Sequence, residues 1–343
     1  MRKKIAMGLI MALMLTGIAA CQNQTETKTA SSSDVSVKSS EDSSGGNGNY
    51  KIDVILKTLA AEYWQYVKAG AEAAGKDYNV SVDVKGPSSE TAYDEMQNMI
   101  ETDLTSGGYD AIAISPLQAD TVKTLIAGTE IPIFAIDTDF EAPEKISFIG
   151  TGNEKAAYDG AQAAYKAAED AGWESIKCIA IAGVQGDNTN TARLTGYKNG
   201  INDAGGEFLE KEIQYADAVA DKAVTAMEAI MQTHPEGIAI ICAHNDDTVM
   251  AAARAAKGNK AYEKTIFLGF NGDRAACEAI IKGEETMSVI QDAYGMGYRT
   301  VETAVAHLNG EKVEKVISEF EDSGVVDAST AEERLKKFDT YLK

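Results

Sequence analysis

The sequence has few basic side chains relative to its acidic ones. Its 343 residues contain 32 Lys and Arg against 53 Asp and Glu, which gives a formal net charge of −21 at pH 7. Proteins that bind nucleic acid or anionic lipid headgroups depend on clustered Lys and Arg side chains. The acidic balance therefore argues against nucleic acid as a partner. It also disfavours the long-range attraction of anionic ligands.

Cysteine and histidine are scarce as well. Of the four cysteines, three follow position 21, at Cys178, Cys242 and Cys277, with no short spacing between them. An odd number so arranged predicts buried free thiols rather than a disulfide framework or a zinc site. The three histidines are far apart and form no His-x-x-x-His pair. We therefore predict no histidine-bound metal, and a calcium loop built from other residues stays open.

The sequence also lacks the short motifs of common catalytic and nucleotide-binding sites. It has no Gly-x-x-x-x-Gly-Lys-Ser/Thr phosphate loop, no Gly-x-Ser-x-Gly elbow and no Gly-x-Gly-x-x-Gly fingerprint. Neighbouring acids such as Asp246 and Asp247 are common on an acidic surface and do not by themselves indicate glycosidase chemistry. We therefore predict that the protein is not an enzyme and uses no cofactor.

What the sequence does have, at its start, is the pattern of an export signal. Basic residues at positions 2–4 precede an apolar run over positions 5–15, and small residues then lead to Cys21. A membrane-spanning helix needs about 20 apolar residues, so this shorter run predicts a cleaved signal peptide over residues 1–20. The Ile-Ala-Ala-Cys ending resembles the lipobox of bacterial lipoproteins. This resemblance implies lipidation at Cys21 and anchoring to the outer face of the cytoplasmic membrane, with an ordinary signal peptide as the alternative.

Residues 21–49 differ in composition from the rest of the chain. They are rich in Ser, Thr, Gly and Asn and contain almost no apolar residues. Such a segment cannot bury enough surface to offset its conformational entropy, so we predict a disordered tether after Cys21. The remaining residues, 50–343, are numerous enough for one large or two medium α/β domains.

From Tyr50 onward, short β-like runs alternate with alanine-rich helical segments. After a long helix near residues 154–171 the pattern restarts. The β-like runs lie at residues 52–56, 80–84, 111–114, 131–136 and 146–149, then at 178–181, 208–213 (weak), 238–242, 265–269 and 289–290. Near-continuous apolar strands between helices are typical of a parallel sheet covered on both faces. The restart therefore predicts an α/β fold with two similar doubly wound parallel-sheet lobes.

A binding site in such a fold has a predictable place. Ligands bind beyond the carboxyl ends of parallel strands, where loops and helix N-termini expose polar groups. In this chain those positions are rich in aromatic rings and in Asp, Asn, Arg and Gln. Charged groups bind hydroxyls strongly, and an aromatic face covers the apolar side of a sugar ring. The positions therefore predict a cleft for a neutral polyol such as a sugar.

Five short motifs at these positions resemble the ribose-type branch of periplasmic sugar-binding proteins, which serve ABC importers. They are Tyr63-Trp64, Ile136-Asp137, Thr191-Ala192-Arg193, His244-Asn245-Asp246 and Gly269-Phe270-Asn271-Gly272. The resemblance covers nearly all of residues 52–326 and implies the type I periplasmic-binding-protein fold. It also implies ligand contact by Tyr63, Trp64, Ser115, Asp137, Arg193, Asn245, Asn271 and Gln291.

Several of these side chains have a purely structural alternative. Tyr63 and Trp64 could be core aromatics of one helix, on which adjacent residues point about 100° apart. Arg193 could form a surface ion pair, which stabilises little. Asn245 could cap the following helix, and Asn271 before a glycine could serve only the turn.

The chain departs from the family pattern at three places. Ala60-Ala61-Glu62 stands where the family often has Asn before its aromatic pair, and Asn271-Gly272 stands where it often has Asp-Gly. A second-lobe aromatic is missing near residues 215–218, where Tyr215 could substitute for it. Asp246 is expected to cap a helix or to tie the lobes together. The particular sugar therefore does not follow from the resemblance.

The resemblance further implies three crossings between the lobes, which would permit hinge closure. They are expected near residues 150–153, 291–294 and 323–326. The N-terminal lobe would comprise residues 50–151 and 292–323, and the C-terminal lobe residues 152–291 and 324–343. A helix over residues 295–309 would return to the first lobe, and the last residues would pack on the second.

The sequence thus predicts a monomeric, lipid-anchored receptor that captures a neutral sugar or polyol between its lobes. It would deliver this ligand to the membrane permease of an ABC importer. A sensory receptor that presents the closed form to a membrane kinase or chemoreceptor is an alternative that the sequence does not separate from transport. A secreted carbohydrate-active enzyme is a third possibility, which the missing catalytic motifs disfavour.

Overall fold

The computed structural model describes residues 49–106 and 108–341. The predicted signal peptide, the lipidation site at Cys21 and the predicted tether up to residue 48 lie outside the described residues. Among the helices that the structure describes, none combines the length and the apolar character needed to cross a bilayer.

The first half of the described chain builds a parallel sheet between helices. Its elements are β1 (Lys51–Ile55), α1 (Glu62–Asp77), β2 (Ser81–Lys85), α2 (Tyr93–Ser106), β3 (Ala111–Ile114), α3 (Ala119–Leu125), β4 (Ile133–Ile136) and β5 (Lys145–Ile149). Every residue of β3 and β4 is buried and apolar. Side chains on alternating positions of β1 pack toward different helices, Val54 with those of α1 and Ile55 with those of α2. A strand covered on both faces needs such a continuous apolar run.

The second half repeats this design. Its elements are α4 (Asn153–Asp170), β6 (Lys177–Ala182), α5 (Asn188–Asp203), β7 (Glu207–Phe208), β8 (Gln214–Tyr215), α6 (Ala220–Thr233), β9 (Ile240–Ala243), α7 (Asp246–Ala256), β10 (Ile266–Asn271), α8 (Arg274–Ile281) and β11 (Met287–Ile290). The chain then ends with α9 (Ala293–Leu308), β12 (Val316–Ile317), β13 (Gly324–Asp327) and α10 (Ala331–Tyr341). Cys178, Cys242 and Cys277 are buried free thiols, as predicted.

The strands form two separate sheets. The first sheet has the order β12-β5-β4-β3-β1-β2, and all its pairs are parallel. The second has the order β13-β11-β10-β9-β6-β7, with β8 also paired to β6, and only β13 is antiparallel to its neighbour among these described strands. The strand order reverses beside β1 in one sheet and beside β6 in the other, which is where open α/β sheets bind ligands. The predicted two-lobed α/β fold is confirmed.

One predicted strand was wrong. Residues 208–213 do not form a single weak strand, because a 3₁₀ turn at Glu210–Glu212 divides the segment into β7 and β8. The turn residues Glu210, Lys211 and Glu212 are all charged, and none of them is buried. β7 pairs with the beginning of β6 and β8 with its end, so the turn bridges the two short pairings.

The chain passes between the sheets three times. The links lie between β5 and α4, between β11 and α9, and between β12 and β13. The third link therefore precedes Gly324, slightly earlier than the sequence suggested. Helix α9 packs along α1 of the first lobe, and α10 packs on α8 of the second. The Phe338 ring of α10 also lies 4.8 Å from the Tyr66 ring of α1, centroid to centroid.

Candidate functional site

A cavity lies between the two lobes at the carboxyl ends of their strands. Its empty space measures about 360 Å³, including the part that opens to solvent. Residues from both lobes line it: Lys57, Ala61, Tyr63, Trp64, Glu90, Asp137, Thr189, Arg193, His244, Asn245, Asn271 and Gln291. Seven of the eight side chains that the sequence singled out are in this set. Ser115 is not, although it follows β3 as expected and is fully buried.

Asp137 is held at the end of β4 by two hydroxyl donors. Its Oδ2 accepts a hydrogen bond of 2.8 Å from the Tyr63 hydroxyl, and its Oδ1 accepts one of 2.9 Å from Thr138 Oγ1. Burial, and then the Asp137 carboxylate, raise the pKa of Tyr63, so its phenol remains a donor. Asp137 adopts the left-handed backbone conformation, with φ of 64°. Strain of this kind in a residue without glycine's freedom is frequent at functional sites.

The aromatic pair stands at the start of α1. The Tyr63 and Trp64 rings meet edge to face, with centroids 4.9 Å apart and planes at 77°. Both side chains are buried, and both line the cavity despite their different directions from the helix. They therefore belong to the core of the first lobe and to the cavity wall at once, so the two interpretations of these aromatics do not exclude each other.

Arg193 is buried and does not form the surface ion pair considered above. Its Nε donates to Asn153 Oδ1 at 2.9 Å, and its Nη1 donates to the His244 carbonyl oxygen at 2.6 Å. The guanidinium carbon lies 3.7 Å from the centroid of the Phe270 ring, a cation–π contact. None of these contacts is with a carboxylate. The guanidinium is therefore fixed in orientation while its charge remains available to a ligand.

A buried ion pair joins the lobes at the cavity wall. Lys57 Nζ, which follows β1, pairs with Asp187 Oδ2, which precedes α5. Burial alone would lower the pKa of Lys57, but the Asp187 and Glu90 carboxylates outweigh this effect, so the pKa of Lys57 is raised.

His244 also lines the cavity. Burial, and then the Arg193 cation, lower the pKa of His244 to about 3, so its imidazole is neutral. Thr138 and Thr189 add a second contact between the lobes, with hydroxyl oxygens 2.8 Å apart.

Three amide side chains complete the second-lobe wall. Asn245 caps α7, because its Oδ1 accepts from Thr248 N at 3.0 Å, and it lines the cavity as well. Asn271, with φ of 130°, accepts a hydrogen bond of 2.8 Å from Gln291 Nε2 at its Oδ1. The Oε1 of Gln291 is buried and finds no hydrogen-bond donor among the residues that the structure describes. The wall thus contains an acceptor that a ligand can satisfy.

Sequence reasoning missed five lining residues: Lys57, Ala61, Glu90, Thr189 and His244. The strand-end rule could have found Lys57, which lies two residues after β1, and Glu90, which lies in the loop after β2. Tyr215, considered as a substitute aromatic, is 42% exposed and does not line the cavity. A larger concavity of about 790 Å³ near Phe267 and Thr286 lies at the opposite, amino ends of β10 and β11 and contains none of the predicted residues.

Behind the cavity, the second lobe buries a group of carboxyl side chains. Asp246 does not tie the lobes together: it accepts hydrogen bonds from Ser288 Oγ and from the backbone nitrogen of Asp273, both within the second lobe. Burial raises the pKa of Asp246 to about 6 and raises that of Asp273 well above its usual value. Both oxygens of Glu285 are buried without a hydrogen-bond donor among the described residues, and burial raises its pKa strongly.

These carboxyl groups should make the protein less stable as the pH rises. Their pKa values are higher in the folded state than in the unfolded chain, so folding takes up protons, and stability falls as the pH rises above about 4, where the unfolded carboxyl groups ionise. We expect Glu285→Gln to raise the free energy of unfolding at pH 8 by about 1–3 kcal/mol, because an amide is neutral without a bound proton. Urea unfolding at pH 5 and pH 8 measures this, with the exposed Glu263→Gln as the control. A gain at pH 5 as large as that at pH 8 would contradict the prediction.

The comparisons with known proteins agree with this fold. Residues 52–312 match the model of the periplasmic binding protein domain family. The ribose import binding protein of Bacillus subtilis is 27% identical over 278 residues, which cover 80% of this chain and 87% of that protein. The D-allose-binding periplasmic protein of Escherichia coli is 28% identical over 278 residues, covering 77% of this chain and 85% of that protein.

The comparison with solved structures supports the same fold. A carbohydrate transporter solute-binding protein from Agrobacterium radiobacter, in complex with D-arabinose, superposes with a TM-score of 0.76 at 26% identity. The match covers 85% of this chain and 99% of that one. The family model spans well over half of the sequence and includes every element from β1 to α9. The chain belongs to the periplasmic binding protein family.

Proposed function

We propose that this protein is the extracytoplasmic binding component of an ABC importer and that it captures a sugar or related polyol between its lobes. It acts by binding and delivery and catalyses no reaction. The observation that carries the proposal is the cavity between the lobes, on which two aromatic rings, two carboxylates, a guanidinium group, an ammonium group and three amides converge. Lipidation at Cys21 would hold the monomeric protein at the outer face of the cytoplasmic membrane, beside the permease.

The wall chemistry supports a hydroxyl-rich ligand. Asp137 offers carboxylate oxygens as acceptors and Arg193 offers donors. Gln291 Oε1, which has no donor within the described part of the chain, accepts a further hydroxyl. Hydrogen bonds to charged groups are stronger than those between neutral groups, and they gain strength where water is excluded. The rings of Tyr63 and Trp64 cover apolar C–H surface, which a sugar presents on the faces of its ring. The relatives named for ribose and allose and the neighbour holding D-arabinose support the same ligand class.

The three links between the lobes support a closing mechanism. A ligand that touches Asp137 in one lobe and Arg193 in the other favours the closed form, because only that form offers both contacts. The Lys57–Asp187 ion pair and the Thr138–Thr189 contact stabilise closure from the protein side. The closed form is then the species that a permease can distinguish from the open one.

A thermal-shift screen tests the proposal. Pentoses, hexoses and cyclitols are each added to the mature protein, and calorimetry follows any positive result. A ligand that binds only the folded state at 100 times its dissociation constant stabilises that state by about 2.7 kcal/mol, so the melting temperature should rise by several degrees. Asp137→Ala should lose the shift. If no sugar or polyol raises the melting temperature and none is bound in calorimetry, the proposal is wrong.

A further inference from the structure

Glu90 places a carboxylate in the cavity wall that no motif predicted. It lies in the loop between β2 and α2, partly buried, and faces the cavity from the first lobe beside Trp64 and Lys57. Its Oε1 accepts a hydrogen bond from the Trp64 indole nitrogen at 3.5 Å, the outer limit for such a bond. Within the described residues, no Lys or Arg nitrogen comes within the 4.0 Å of an ion pair with Glu90.

The cations near Glu90 already have other partners. Lys57 is bound to the Asp187 carboxylate, in an ion pair whose side chains are about 95% buried. The guanidinium of Arg193 is held by Asn153, by a backbone carbonyl and by the Phe270 ring. Neither side chain can turn to Glu90 without giving up buried contacts, which costs more than an exposed ion pair returns.

The cavity therefore has a surplus of negative charge. The lining contains two cations, Lys57 and Arg193, and two carboxylates, Asp137 and Glu90. The charge of Lys57 is already balanced by Asp187, which lies outside the lining, and the imidazole of His244 is neutral, so Arg193 alone stands against two carboxylates. An ionised carboxylate that loses its water in a closed cavity is costly unless a cation or several donors replace that water. Burial is the largest cause that raises the pKa of Glu90, and the Asp187 and Asp137 carboxylates add to it, while Lys57 opposes it. A positively charged group on the ligand would remove this cost.

We propose that Glu90 is a specificity-determining residue that receives an ammonium group of the ligand, so that the preferred substrates are amino sugars or amino-substituted polyols. This inference rests on the proposed function. The remaining hydroxyls of such a ligand would bind Asp137, Arg193 and Gln291 as described above. The ammonium group would bind the Glu90 carboxylate from the cavity side through a charge-assisted hydrogen bond.

Matched pairs of ligands test the inference. Calorimetry at pH 7.5 compares monosaccharides that carry an amino group at carbon 2, 3 or 6 with their neutral parents, for the unmodified protein and for Glu90→Gln. We expect at least one amino sugar to bind tenfold or more tightly than its parent. Glu90→Gln should reduce that ratio at least tenfold, whereas the exposed Glu101→Gln should leave it unchanged.

The outcomes separate the two proposals. If neutral sugars bind and every amino derivative binds equally or more weakly, the role of Glu90 is wrong and the proposed function stands. An amino preference that survives unchanged in Glu90→Gln also overturns the role of Glu90. If neither series binds, the proposed function fails, and the inference fails with it.

Discussion

Replacing Arg193 by methionine should weaken ligand binding about 10- to 150-fold. A hydrogen bond to a charged group contributes about 1.5–3 kcal/mol, and each 1.4 kcal/mol is a factor of ten in affinity. Arg193 is suited to this role because Asn153, the His244 carbonyl and the Phe270 ring fix its guanidinium before the ligand arrives. A preorganised group loses little conformational entropy on binding. Asp137→Ala should have an effect of the same size, since Tyr63 and Thr138 hold its carboxylate in the same way.

Calorimetry with the sugar found in the screen measures both variants. Arg299→Met, a change at an exposed position on α9, serves as the control and should bind normally. Arg193→Lys adds a sharper comparison, because lysine keeps the charge but cannot reproduce the planar fork of donors. We expect it to bind more weakly than the unmodified protein. Unaltered affinity in both Arg193→Met and Asp137→Ala, with normal melting temperatures, would remove these residues from the binding site.

Replacing Gly297 by valine should destabilise the folded protein by about 3 kcal/mol or more. A Cβ atom on Gly297 would lie 1.9 Å from the Val67 carbonyl oxygen, and one on Gly70 would lie 1.9 Å from the Tyr294 carbonyl oxygen. In each case the obstacle is backbone, which cannot turn aside as a side chain can. Helices α1 and α9 therefore approach each other through paired glycines, and a branched side chain at either position would force them apart.

Urea unfolding of the ligand-free protein measures this effect. Gly152→Ala is the matched control, because a Cβ atom there meets nothing within 4 Å, and we expect it to change stability little. Since α1 carries Tyr63 and Trp64 and α9 follows the second link between the lobes, Gly297→Val should also weaken ligand binding. A variant with unchanged stability would mean that α1 and α9 do not pack as closely as the structure shows.

The fold was largely predictable because its signals are local. Strands β3 and β4 are continuous apolar runs, and α1 and α4 carry small apolar residues on one face. Such patterns depend on the period of the element and not on distant residues. The prediction for the segment of β7 and β8 was wrong because this segment has no such local pattern. Two-residue strands are too short to show a period, and they exist only because β6 offers them partners.

Most of the candidate site was predictable because the carboxyl ends of the parallel strands lie close together. Seven residues chosen at those ends line one cavity, although Tyr63 and Gln291 are more than 200 positions apart. Ser115 obeys the same rule and still lies outside the cavity lining, because a position in sequence does not fix how deep a side chain lies. Its contact with a ligand stays a prediction, as do the ligand contacts of the other seven.

The sequence alone determined the class of fold, the edge of the sheets at which a ligand would bind, and most of the residue types found there. Only the tertiary structure decided which charges have partners. Lys57 and Asp187 pair across 130 positions of sequence, and this pairing leaves Glu90 without a cation among the residues that the structure describes. Periodicity follows from the geometry of a single strand or helix and can be read along the chain. Charge pairing in a closed cavity depends on how the two lobes contact each other, and no local sequence pattern predicts those contacts.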